Sequence, residues 1–128
     1  MTQEYKTIAE NVVSQMRKEL GVELKYDKES IEWLDHYIDR IRPQLKKESY
    51  AGLAMSLGAY VGETIIAAYG GAWDYFPKLD QWGIRFGAQN GAFPFSKVYK
   101  QLEGGEMESI LSFFTILPRI IDETRTES

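Results

Sequence analysis

The chain has 128 residues, 44% of them hydrophobic and 13% aromatic, with a formal net charge of −4. That is ample apolar material for one packed domain, residues 1–128, and it excludes intrinsic disorder. The acidic balance argues against nucleic acid, whose phosphates demand a basic face, and a chain without cysteine has neither disulfides nor thiolate zinc sites.

Residues 1–20 are expected to form the first helix. Between Gln3 and Leu20, the residues Tyr5, Ile8, Ala9, Val12, Val13, Met16 and Leu20 recur at steps of three and four. Gly21 is placed to end it. Val22, Leu24 and Tyr26 alternate with charged residues, which predicts a short edge strand. The start of the chain lacks the basic-then-apolar pattern of a signal peptide, so a cytoplasmic location is expected.

A second helix is expected over 27–45. Asp27 is its N-cap, and Tyr26 and Ile31 are spaced as a hydrophobic staple. Ile31, Leu34, Ile38, Ile41 and Leu45 form its buried stripe, with Trp33 and Tyr37 on the flank. Pro43 predicts a break or kink.

The third helix, 49–69, is the centre of the chain. From Ser49 to Gly71 the only charge is Glu63, and a helix apolar on all sides is buried. Its length would suit a membrane span. However, Glu63, Ser56, Thr64 and the glycines within it, together with the lack of flanking anchors, favour a core helix, and no membrane partner is expected. Ser49 is placed to cap it. Ala54, Gly58 and Gly62, four apart, predict a shallow groove for a close neighbour.

The period then changes to two. Residues 72–93 predict a three-stranded antiparallel meander: Ala72–Phe76, then Trp82–Phe86, then Ala92–Phe93 after an Asn90-Gly91 hairpin turn. Two helices follow, over 94–103 and 107–121. Met107, Ile110, Leu111, Phe114, Leu117 and Ile121 form the stripe of the last, Pro118 is expected to kink it, and Thr124–Ser128 to fray. The fold class is α+β.

Three features could carry chemistry. Glu63 lies in a stripe of small residues, where a carboxylate can be a general acid or base. The competing and favoured reading is structural, with Glu63 accepting hydrogen bonds or pairing with Arg85 or Arg119. Glu32, His36 and Asp39 share a helix face at ligand spacing. That face, with Asp35 beside it, must be solvated anyway, so no metal site is assigned. Trp73 and Tyr75 belong to an aromatic-rich stretch that could form a binding platform, although a half-buried sheet needs such residues as core. Glu63, Trp73, Tyr75 and Arg85 are the candidate binding residues, and no catalytic residue is assigned. The glycines match no phosphate loop, and no cofactor is expected.

The segments WLDHYIDRIRP (Trp33–Pro43), LGAYVGE (Leu57–Glu63), GGAW (Gly70–Trp73) and FPFSKVYKQLEGG (Phe93–Gly105) together resemble a family of small bacterial domains of unknown function. The resemblance implies a bacterial origin and a shared structural signature in Gly58, Gly62, Glu63, Trp73 and Pro94. It implies no activity.

The leading expectation is a non-catalytic module that binds another protein, of the kind exemplified by small acidic immunity proteins. The alternatives are a small-molecule binder or enzyme using Glu63 in a groove between central helix and sheet, and a structural homodimer subunit.

Overall fold

The computed structural model describes residues 2–88 and 90–127. The fold is α+β, with five α-helices and one three-stranded antiparallel sheet among the described residues. Helix α1 (Thr2–Leu20) and helix α2 (Lys28–Ile41) precede the central α3 (Tyr50–Tyr69). Strands β1 (Ala72–Phe76), β2 (Gln81–Arg85) and β3 (Gly91–Ala92) follow. Helices α4 (Pro94–Gly104) and α5 (Ile110–Glu127) close the chain.

Helix α3 packs most extensively on α4 and α1, while α2 packs on α5. The glycine groove is the reason α3 can be approached so closely. A Cβ on Gly58 would meet the Phe95 ring at 2.6 Å and its Cα at 2.9 Å, and a Cβ on Gly62 would overlap the Trp73 ring. The stretch Lys47–Tyr69 is long and apolar enough to cross a bilayer, and half of it is buried inside the fold.

Several local expectations give way to tertiary contacts. Val22–Tyr26 is irregular rather than a strand, because side chains take its backbone groups. The Lys25 N–H donates to Ser30 Oγ at 2.8 Å, and the Lys25 carbonyl accepts from the Tyr60 hydroxyl. Asp27 does cap α2, accepting from the Ser30 N–H at 2.9 Å. Tyr26 lies against Tyr60, with ring centroids 5.5 Å apart. The break expected at Pro43 is an end: α2 stops at Ile41, short of the expected bound at 45, and a 3-10 turn over Arg42–Gln44 follows. Ser49 does not cap α3 with its side chain, since a second 3-10 turn, Lys47–Ser49, runs directly into the helix.

The Asn90-Gly91 pair does not make a tight two-residue turn. Gly91 is inside β3, paired with Arg85, and the loop closes through the Phe86 N–H donating to the Asn90 carbonyl at 3.1 Å. The glycine serves packing instead, because the Phe76 ring lies where a side chain would be. Met107, expected in the buried stripe of the last helix, is 89% exposed, because it sits in a 3-10 turn (Gly105–Glu108) that precedes α5.

Helix α5 runs through Pro118. Proline has no N–H to donate to the carbonyl four residues back, that of Phe114. The Tyr69 hydroxyl donates to this carbonyl at 3.0 Å, so the missing helical bond is replaced from α3. The polar end expected to fray is helical to Glu127, and Ser128 lies outside the described residues.

Candidate functional site

Strand alternation divides the four candidate binding residues between the two faces of the sheet. The register sets Trp73 opposite Ile84 and Tyr75 opposite Trp82 on the inner face, and Ala72 opposite Arg85 on the outer. The Trp73 indole N–H donates to Glu63 Oε2 at 2.7 Å. Its ring lies over Gly62, with its centroid 4.6 Å from that of Tyr5 and 5.3 Å from that of Phe95. The half-buried Glu63 is therefore held by an indole, not by Arg85 or Arg119, the partners expected from sequence.

Arg85 is engaged on the other face. Its Nε is 2.6 Å from Asp74 Oδ2, its Nη1 donates to the Ala88 carbonyl at 3.1 Å, and its guanidinium carbon is 4.1 Å from the Phe76 ring centroid. Arg85 and the Tyr75 N–H hold the Asp74 carboxyl below its ordinary value. The Tyr75 ring is near the open end of the inner face, with its hydroxyl donating to Asp80.

Near Glu63, burial raises the Tyr26 hydroxyl above its ordinary value, and the charges of Glu10 and Glu63 raise it further. A phenol shifted upward keeps its proton at neutral pH and is a poor general base. The arrangement around Glu63 can hold a ring in place, and it does so for Trp73.

Among the described residues no group of three His, Cys, Asp or Glu side chains is placed to hold a metal ion. Asp39 accepts from Gln101 Nε2 at 3.1 Å and so turns towards α4, while Glu32 and His36 face outward. Asp35, expected on a solvated face, is buried. Its Oδ1 accepts from Ser109 Oγ at 2.8 Å and from the Leu111 N–H at 3.2 Å. Gln101, fully buried, accepts from the Ile110 N–H at 2.9 Å. These groups satisfy the first free N–H groups of α5, and the Asp35 carboxylate sits at the positive end of that helix.

The open surface with a distinct chemistry is the outward face of α2. A shallow cleft of about 420 Å³ is lined by Glu29, Glu32, Trp33, His36, Tyr37 and Arg40. Trp33 and Tyr37, one turn apart, stack with centroids 5.0 Å apart and planes 14° from parallel. The Arg40 guanidinium carbon is 5.6 Å from the Tyr37 centroid. A second cleft of about 370 Å³ shares Glu29 and Trp33 and continues towards Val22 and Leu24. Sequence reasoning placed both aromatics on the flank of α2 and did not single them out. The available signal was an aromatic pair at i and i+4, off the apolar stripe, with acids one turn before and bases one turn after.

Comparison of the chain with protein-family models, with curated proteins and with solved structures returns no match.

Proposed function

We propose that the protein is a non-catalytic interaction module and that the outward face of α2 meets its partner. The observation that carries this reading is the Trp33–Tyr37 stack, two large aromatic rings that rest half-buried on the core and line an open cleft beside the exposed Glu32, His36 and Arg40. Tryptophan, tyrosine and arginine are the residues that dominate binding energy at protein interfaces. The binding candidates read from the sequence are engaged within the fold: Glu63 with Trp73, Arg85 with Asp74, and Tyr75 with Asp80. On this reading the partner is a protein rather than nucleic acid or a membrane, no cofactor takes part, and the setting is the cytoplasm. The net charge of −4 is consistent with that choice of partner.

Site-specific photo-crosslinking in the source cells tests it. A photoreactive residue at His36 is expected to give one adduct of defined mass, while one at Lys6, on the exposed side of α1, gives none. No adduct from position 36, or the same adducts from both positions, would sink the proposal.

A further inference from the structure

The order of residues along the outward face of α2 points to a second copy of this chain as the partner, an inference that rests on the reading of that face as an interaction surface. The six lining residues are symmetric about the midpoint between Leu34 and Asp35. Glu29 and Arg40 lie five residues outside these two, Glu32 and Tyr37 two, and Trp33 and His36 one. Their character is not symmetric: acids occupy the N-terminal end and bases the C-terminal end.

Such a face is complementary to itself when reversed. An antiparallel copy on a two-fold axis through the midpoint sets Glu29 against Arg40 of the partner subunit, and Arg40 against Glu29 of the partner subunit. At the next level inward Glu32 meets Tyr37 of the partner subunit, a carboxylate facing a phenol donor. At the centre Trp33 meets His36 of the partner subunit, two flat rings that can stack. A parallel arrangement would instead set Glu29 against Glu29 and Arg40 against Arg40, which is repulsive. None of the salt bridges among the described residues engages Glu29, Glu32 or Arg40, and Arg40 meets only the Tyr37 ring face in the contacts described above, so a carboxylate can reach its guanidinium from a second chain. The patch extends about 17 Å along the helix, from the rise of 1.5 Å per residue. We propose that α2 forms an antiparallel, isologous homodimer contact centred on Trp33 and His36, with Glu29–Arg40 ion pairs at both ends.

The test is a charge-swap cycle read by sedimentation equilibrium across a concentration series. Wild type is expected to show a concentration-dependent monomer–dimer equilibrium. Glu29→Lys and Arg40→Glu, each repeated twice by symmetry, should each weaken it by about tenfold or more. The double variant should recover to within about threefold of wild type, because both pairs re-form with reversed polarity. Trp33→Ala should weaken dimerisation more than either charge reversal. Circular dichroism and the melting temperature of each variant control for folding. A wild type that stays monomeric at every concentration, a dimer indifferent to the single reversals, or a double variant that fails to recover would each overturn the proposal. If the chain is monomeric yet position 36 still crosslinks to a protein of another mass, the self-association fails while the interaction reading stands. If position 36 gives no adduct, the reading beneath it fails as well.

Discussion

Tyr60 shows how burial changes a single side chain. It is wholly buried on α3, and its hydroxyl donates to the Lys25 carbonyl. Burial pushes its pKa from 10.0 up to about 12. A folded value above the unfolded one means that the folded state holds the proton more tightly. The stability linked to Tyr60 is therefore complete below about pH 10 and is lost as pH rises towards about 12. The melting temperature is expected to fall over that window. Tyr5, Tyr26 and Tyr69 are also raised by burial and add to the fall. Tyr60→Phe should cost about 1 kcal/mol at neutral pH, the worth of one hydrogen bond, and should flatten the alkaline limb. An alkaline limb identical to that of wild type would show that Tyr60 does not titrate there.

At the scale of elements, two devices join helices that are remote in sequence. The glycine groove of α3 seats Phe95 from α4 and Trp73 from β1, and the Glu63 carboxylate fixes the indole once it is seated. The second device is the reception of α5. Its Ile110 and Leu111 N–H groups are accepted by Gln101 of α4 and Asp35 of α2, while the Ser112 N–H donates to Ser109 Oγ at 3.2 Å. Asp35→Ala removes an acceptor from a buried helix end and leaves the Leu111 N–H without it, which should cost about 2–4 kcal/mol. Asp35→Asn keeps an oxygen in place and should cost less than half of that. Urea unfolding measures both, and amide exchange at 110–113 should show the loss concentrated at the start of α5. Equal costs for Ala and Asn would mean that shape, not the acceptor, is what matters.

For the whole molecule, one hydrophobic cluster draws residues from every helix and every strand, from Tyr5 and Ile31 to Trp73, Ile84, Val98 and Phe114. Unfolding should therefore be a single transition, coincident by far-ultraviolet circular dichroism and tryptophan fluorescence. Two tryptophans then separate core from surface. Trp73 is 8% exposed, stacked on Phe95 and in tilted contact with Tyr5, so Trp73→Ala should cost about 3–5 kcal/mol. Trp33 is half-buried, packed on the rim of the core and stacked on Tyr37, so Trp33→Ala should cost less, about 1–2 kcal/mol in the monomer. Comparable losses from both would place Trp33 in the core and remove the surface on which the interaction reading depends.

The sequence by itself determined the elements and their order, because periodicity and punctuation are local. The amphipathic spacing of α1 and α2, the Asp27 cap, the end of α2 at Pro43, the buried α3, the change to period two at Ala72 and the meander are all written in neighbouring residues. The close approach to Gly58 and Gly62 was legible too, since glycines at helical spacing leave room for something. What fills that room was not legible, because Phe95 and Trp73 arrive from other elements. The same limit governs every polar contact that matters. Glu63 was marked as the odd charge in an apolar helix, but its partner is an indole ten residues on, across a turn. Asp35 looked like one more solvated acid, yet it is buried against α5, and Met107 looked buried yet stands in water. Only the tertiary structure decides such cases, because an acceptor is satisfied by whichever donor the packing brings to it. The polarity of charge along α2, acids first and bases last, was present in the sequence throughout. The meaning proposed for it waited on the fold, which turns Glu32, His36 and Arg40 outward and leaves the half-buried Trp33 and Tyr37 rings lining a cleft.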